Sequence, residues 1–338
     1  MLYCEYSCFK DFERIRRDIM LVNADKPGKW KADIAQSVDM YNNWFMVFAP
    51  KTYRDTRVAT ATQVKNALEW TANLTNIEPT LLRQYPHILP VLRMSTAPPI
   101  ARDRLIGLAG VSPHLVDSME TKQQIPPKMS PTQLESELQK IGSIIMRLAD
   151  KDICAWLEDK HIPDESEVYR ASTIIADRLC GAAADPIIRN AQERRQLQVF
   201  GRWLEQHGYS RIESGAGLKF NNMPPGTFSF RLNVPVARDD GKKINMPIDT
   251  VIMPKNAIKG DFPLLIEAKS AGDYTNTNKR RKEEATKFRQ LRNEHGDKVQ
   301  FVLLLCGYFD PGYLGYEAYE GIDWIWEHRL DDLTEFGV

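Results

Sequence analysis

The chain has 338 residues, with 45 Lys and Arg against 45 Asp and Glu, so its formal net charge is zero, and 43% of it is hydrophobic. That length carries two domains, or one with a large elaboration, and the apolar share excludes a disordered chain. A zero balance excludes a protein that coats nucleic acid through diffuse basic charge, but it leaves room for local basic surface. The first residues, MLYCEYSCFKDFERIRR, are broken by charges early, so no secretory leader is expected. The longest strongly apolar run, Phe301 to Phe309, is less than half of the roughly 20 residues a membrane helix needs. Cys4, Cys8, Cys154, Cys180 and Cys306 are odd in number and scattered, which points to a reducing cytoplasm rather than a disulfide framework. Cys4 and Cys8 lack a second pair at zinc-finger spacing, and no HExxH is present.

In chain order, the N-terminal half reads as helical. In the long segment Lys29 to Phe48, Tyr41, Trp44 and Phe45 fall on one face, the ordinary pattern of an aromatic core stripe. Prolines 86, 90, 98 and 99 cut residues 81–100 into short pieces. Ser130-Pro131 predicts a capped helix start, with the helix running to about Leu157. The polar stretch 158–167, with Pro163, reads as a linker, which divides the chain into a helical domain at 1–160 and a second domain at 161–338. Asp185-Pro186 predicts another helix start, and Gly208 a helix stop. Thr227 to Arg238 alternates Phe228, Phe230, Leu232 and Val234 on one side, which is strand periodicity. Ile244 to Met253 and Phe262 to Ser270 follow as strands, then a helix over Lys279 to Glu294 and a buried strand over Val299 to Phe309. The order implies an α/β (α+β) domain with a mixed sheet behind an all-helical N-terminal domain.

Two adjacent strands carry acids where apolar residues are expected: Asp249 in NMPIDTVIM and Glu267 in FPLLIEAKS, with Lys269 two positions on. Strand alternation puts Glu267 and Lys269 on one face and Leu264, Ile266 and Ala268 on the other. A carboxylate and an ammonium at the end of an apolar strand are costly to desolvate unless paired or bound to metal. The same spacing at Glu120-Thr121-Lys122, Glu158-Asp159-Lys160 and Asp240-Gly241-Lys242 lies in polar surroundings and reads as solvated.

An Asp on one strand and Glu-x-Lys on the next, with a helix before and a helix and strand after, resembles the PD-(D/E)XK nuclease core. Pro247-Ile248-Asp249 stands for its Pro-Asp dipeptide with one residue inserted. In that superfamily the helix before the sheet often adds a Glu. Here Arg189, Glu193 and Gln196 fall within the apolar half of the helical wheel and Glu205 outside it. Glu193 is thus either a catalytic residue or the partner of Arg189 four positions away, with Arg189 and Gln196 as possible DNA contacts. The resemblance implies that Asp249, Glu267 and the Ala268 carbonyl hold Mg²⁺, with Mn²⁺ as a substitute. Lys269 would orient or deprotonate the attacking water, or stabilise the developing charge.

The rest of the chain resembles the XamI-type type II restriction endonucleases. The matching stretches are LPVLRMSTAPPIARDRLIGLAG at 89–110, DPIIRNAQERRQLQ at 185–198, the Asp249…Glu267-Ala268-Lys269 core, and LCGYFDPGYLGYEAYEGIDWIWEHRLDDL at 305–333. The resemblance implies sequence-specific, Mg²⁺-dependent cleavage of double-stranded DNA at a short palindrome, leaving 5′-phosphates. It also implies a cognate DNA methyltransferase and a two-fold homodimer in the cytoplasm. Residues 279–298 hold eight basic groups against four acidic ones, led by Lys279, Arg280, Arg281 and Lys282, and include Lys287. They read as either a solvated helix face or a phosphate-binding surface beside the catalytic strand. Asn276 and Asn278, in the loop before that helix, are candidate readers of adenine edges. Arg93, Arg102 and Arg104 are further candidates for DNA contacts, whereas Trp324, Trp326 and His328 fit a core strand better than a catalyst. Two competing readings share these residues: a nuclease of repair or junction resolution, and a DNA-binding protein with a decayed core.

Overall fold

A computed structural model describes residues 21–215, 217–237, 241–275 and 277–338, without the side chains of 277–280. Cys4, Cys8 and Asn276 lie outside the described residues, as do the side chains of Asn278, Lys279 and Arg280. Compactness gives one unit over Phe48–Ile188 and another combining Arg189–Val338 with the part up to Val47, rather than a cut at residue 160.

Helix α1 (Pro27–Trp70) contributes to both units. The helical unit continues with α2 (Pro79–Gln84), α3 (Leu89–Met94), α4 (Arg102–Ala109), α5 (Pro113–Thr121), α6 (Pro131–Leu148) and α7 (Trp156–Asp159). Ser130 caps α6 as expected, its hydroxyl accepting from the Gln133 amide at 3.3 Å, but the helix ends at Leu148 rather than near 157. A single apolar cluster running from Val64 to Leu179 fills this unit. Of its candidate arginines, Arg104 is exposed, and the other two are in ion pairs. Arg93 is paired with Glu120 at 2.6 Å and mostly buried, and Arg102 with Asp117 at 2.9 Å.

Helix α8 (Glu165–Gln206) corrects the expected start at Asp185-Pro186, because Pro186 lies inside it. An internal proline removes one main-chain bond and costs about 3 kcal/mol. Burial keeps the helix going on both sides of it: Ala171, Ile175, Leu179 and Ala184 before, Gln192, Gln196 and Phe200 after. It stops at Gln206, and Gly208 adopts the left-handed conformation (φ 76°) expected of a terminating glycine.

The second unit is built on a six-stranded mixed sheet in the order β1 (Ser210–Arg211), β2 (Thr227–Ala237), β3 (Lys243–Met253), β4 (Leu264–Ala271), β5 (Gln300–Gly307) and β6 (Asp323–Trp326). Strands β2, β3 and β4 pair antiparallel; β4, β5 and β6 pair parallel. Helix α9 (Thr277–His295) makes the β4-to-β5 crossover and α10 (Pro311–Tyr319) the β5-to-β6 one. One face of the sheet packs through Leu264, Ile266 and Ala268 with Phe200, Trp203 and Leu204 of α8. The other packs through Leu265, Leu303 and Leu305 with Phe288, Leu291, Tyr313 and Leu314 of α9 and α10. Trp324 and Trp326 are fully buried, as a core strand requires. The start of the described chain belongs here because the Asp323 carboxylate accepts the amides of Val22, Asn23 and Ala24, and the Ser37 hydroxyl accepts the Gly307 amide at 2.8 Å.

One expectation about β2 is corrected. Phe228 and Phe230 pack with the α8 cluster, but Leu232, Val234 and Val236 pack in the α9–α10 cluster, so the run does not keep one side. The change falls at Arg231, a non-glycine residue in the left-handed region at φ 53°. Such a residue reorients the strand and stores on the order of 1–3 kcal/mol of strain, a cost concentrated at functional sites.

Candidate active site

The same register brings β3 and β4 together around Asp249. The β2–β3 ladder pairs Phe230 with Thr250 and Leu232 with Ile248, and skips the Arg231–Asp249 pair between them. The β3–β4 ladder ends at Thr250–Ile266, one step short of facing Asp249 with Glu267. Asp249 therefore sits where both ladders lapse. The main-chain amide of Ala268 is satisfied by the Asp249 carboxylate at 2.9 Å. That bond ties the acid of β3 to the Glu267-Ala268-Lys269 segment of β4.

Glu267 is buried, and its Oε1 receives Lys269 Nζ at 3.1 Å and the ammonium of Lys287 from α9. Its Oε2 is buried with no hydrogen-bond partner. Lys269 Nζ also lies 3.5 Å from Glu284 Oε1, on a side chain with no exposure at all. Burial, with the Glu267 charge added, pushes the Asp249 carboxyl up to about 6. For Lys269, burial works to lower the ammonium, but Glu267, Glu284 and Asp249 together outweigh it and the net shift is upward. The lysine is therefore held as a cation, suited to donating hydrogen bonds and balancing negative charge rather than to taking a proton.

Among the described residues, no three His, Cys, Asp or Glu side chains gather as a metal cage. What this site offers is two carboxylates and, at Ala268, a main-chain carbonyl, a hard oxygen set that water would complete for a cation such as Mg²⁺. The donors fit a divalent ion: the unpartnered Glu267 Oε2 and the repulsion felt by Asp249 would both be relieved by positive charge.

The other sequence candidates are placed differently. Glu193 is part-exposed on α8. Its carboxylate pairs with Arg231 at 2.5 Å, not with Arg189, and it projects from the helix that covers the opposite face from Glu267. Gln196 is only 1% exposed, and its amide donates to the carbonyls of Leu304 (2.9 Å) and Lys269 (3.4 Å), so the expected DNA contact is corrected to a main-chain brace. Arg189 is exposed. Arg281 stacks over the Tyr316 ring at 4.7 Å, and Lys282 is exposed on α9. Sequence reasoning missed Glu284, Tyr313 and Glu317, and saw Lys287 only as one basic group among eight. A signal existed: Glu284 stands four and seven positions before Phe288 and Leu291, on the helix's apolar face.

Comparison with known proteins identifies the family. The family model of the XamI restriction endonuclease matches residues 72–326. The type II restriction enzyme SalI of Streptomyces albus G is 51% identical over 318 residues, covering 94% of this chain and 100% of that protein. A solved structure, protein VC1899 from Vibrio cholerae, aligns over 76% of this chain and 56% of that one, at 13% identity and a TM-score of 0.27, too low to bear on the fold.

Proposed function

The chain belongs to the XamI restriction endonuclease family and is a type II site-specific deoxyribonuclease; from that premise we propose that it cuts double-stranded DNA at the Asp249, Glu267 and Lys269 cluster. The observation that carries this reading is the bond from the Ala268 amide to Asp249, which ties the acid of β3 to the Glu267-Ala268-Lys269 segment of β4. The order of β2, β3, β4, α9 and β5 around it supports a PD-(D/E)XK core. Family membership takes precedence over the repair-nuclease and decayed-core readings.

Asp249, Glu267 and the Ala268 carbonyl are the groups that would hold Mg²⁺, or Mn²⁺ in its place. Bound there, the ion would supply positive charge to the scissile phosphate and lower the pKa of a water beside it. The chain's own contribution is positional. The Ala268 amide fixes Asp249, and Lys287 shares the Glu267 charge with Lys269. Lys269, kept as an ammonium, donates to the attacking water or to a non-bridging phosphate oxygen. In-line attack at phosphorus forms one P–O bond and breaks the bond to the 3′ oxygen, leaving a 5′-phosphate and a 3′-hydroxyl. Asn276, Asn278, Lys279, Arg280, Arg281 and Lys282 lie in sequence next to the catalytic strand and are residue types that suit phosphate or base contacts. A palindromic target calls for a two-fold dimer, and a companion methyltransferase would protect the host's own sites. Among the described residues no helix is long and apolar enough to cross a membrane, and we place the enzyme in the cytoplasm, where its DNA is.

Digestion of a sequenced plasmid with Mg²⁺ tests the reading. Discrete fragments with 5′-phosphate ends at one repeated short palindrome are expected. A smear, or nicks set by DNA shape rather than sequence, would contradict it.

A further inference from the structure

Beyond the two acids and the lysine, the same end of the unit buries a second set of ionisable groups that the cleavage mechanism leaves unused. Glu284 of α9 and Glu317 of α10 both have no exposed surface. Two bare carboxylates side by side in the interior repel each other and cannot hydrogen-bond. Here the conflict is resolved by a proton. Burial, with Glu284 beside it, pushes the Glu317 carboxyl up to about 10, so at neutral pH it is an acid that can donate. Glu284 also accepts the hydroxyl of Tyr313, and its buried Oε1 lies 3.5 Å from the Lys269 ammonium. Glu284 of α9 thus meets two neutral groups of α10, the Tyr313 hydroxyl and the Glu317 acid, and its own charge is turned on Lys269.

We propose that Glu284 is a positioning residue of the cleavage reaction: with Glu267 it clamps the Lys269 ammonium, while Tyr313 and Glu317 hold Glu284 in place. The arrangement explains why a carboxylate occupies a fully buried position on an otherwise apolar helix face. A glutamine there would keep the shape and lose the charge that orients the lysine. Glu317, by contrast, works as a neutral donor, a part that an amide can play. The inference rests on the assignment of Lys269 as a working group of the site.

The test compares single-turnover cleavage of a duplex carrying the mapped site, DNA affinity without Mg²⁺, and melting temperature, in four variants. Glu284→Gln is expected to cut about 10²-fold more slowly, the scale of a displaced catalytic group, with DNA affinity and melting little changed. Glu317→Gln is expected to stay within about threefold of the wild-type rate, because its donor is preserved. Tyr313→Phe removes one bond to Glu284 without changing charge, and about a tenfold loss is expected, in line with one hydrogen bond to a charged group. Full-rate cleavage by Glu284→Gln would overturn the proposal, as would equal losses in Glu284→Gln and Glu317→Gln. So would a loss in Glu284→Gln that added Mg²⁺ restores, since that would make Glu284 a metal ligand. Should Glu284→Gln fail to fold, Tyr313→Phe decides, and full activity there overturns the proposal. Lys269→Ala separates the two levels. If that variant still cuts, the underlying site assignment falls; if it is dead while Glu284→Gln is fully active, only the present inference falls.

Discussion

Asp249→Asn is expected to abolish Mg²⁺-dependent cleavage while leaving the metal-free protein at least as stable as the wild type. The amide oxygen can still accept from Ala268, so the link between β3 and β4 survives. What is lost is the negative charge, which burial and Glu267 already disfavour in the absence of a cation. Removing a repelled charge stabilises the fold, whereas removing a metal ligand stops the chemistry, and an active site is where these effects point in opposite directions. A rate loss of at least about 10³-fold is expected, comparable to deleting a principal electrostatic contribution to a transition state. Lys269→Ala is also expected to eliminate cleavage, but at a cost in stability, because it leaves Glu284 without its ammonium and Glu267 with Lys287 alone. Rate measurements paired with thermal melting separate the two signatures. Retained cleavage in either variant would remove that residue from the site.

Stability of the metal-free and Mg²⁺-loaded protein should depend on pH in opposite senses. The Asp249 carboxyl titrates near 6 in the fold, above the ordinary 3.8 of an unfolded aspartate. Between those values the native state binds the extra proton, so this group's contribution to stability falls as pH rises through the window and is fully lost above about 6. Mg²⁺ needs the deprotonated carboxylate, so its binding releases that proton and strengthens as pH rises. At about 100 times its Kd a ligand adds roughly 2.7 kcal/mol of stability, which melting resolves as a shift of several degrees. That gain is expected in full at pH 8 and should fade below about pH 6. Asp249→Asn should show little of it at any pH. An equal Mg²⁺ shift at pH 5 and pH 8 in the wild type would place the ion elsewhere.

The strands were legible because each carries a short apolar pattern with sharp ends: Thr227–Ala237, Lys243–Met253 and Leu264–Ala271 start and stop within two residues of their expected bounds. The acids of β3 and β4 were legible for a related reason, since a charge at the end of a buried strand needs an explanation. What escaped is what depends on packing between distant elements. The long helix α8 overrides a local start signal at Asp185-Pro186, because buried residues on both sides outweigh the single bond a proline removes. Helical phase alone set Glu193 beside Gln196, yet one meets Arg231 and the other braces β4 and β5. The left-handed residue at Arg231 turns the side chains of β2 to a new face, and no strand pattern announces it. Glu284 was hidden in a basic helix, where counting charges masked a carboxylate at a buried position.

Diffraction from crystals grown with Mn²⁺, recorded at a wavelength where manganese scatters anomalously, tests the central claim most directly. The account predicts an anomalous peak among the Asp249 carboxylate, Glu267 Oε2 and the Ala268 carbonyl in the wild type, and none there in Asp249→Asn. A peak away from these oxygens, or one unchanged by the substitution, would contradict it.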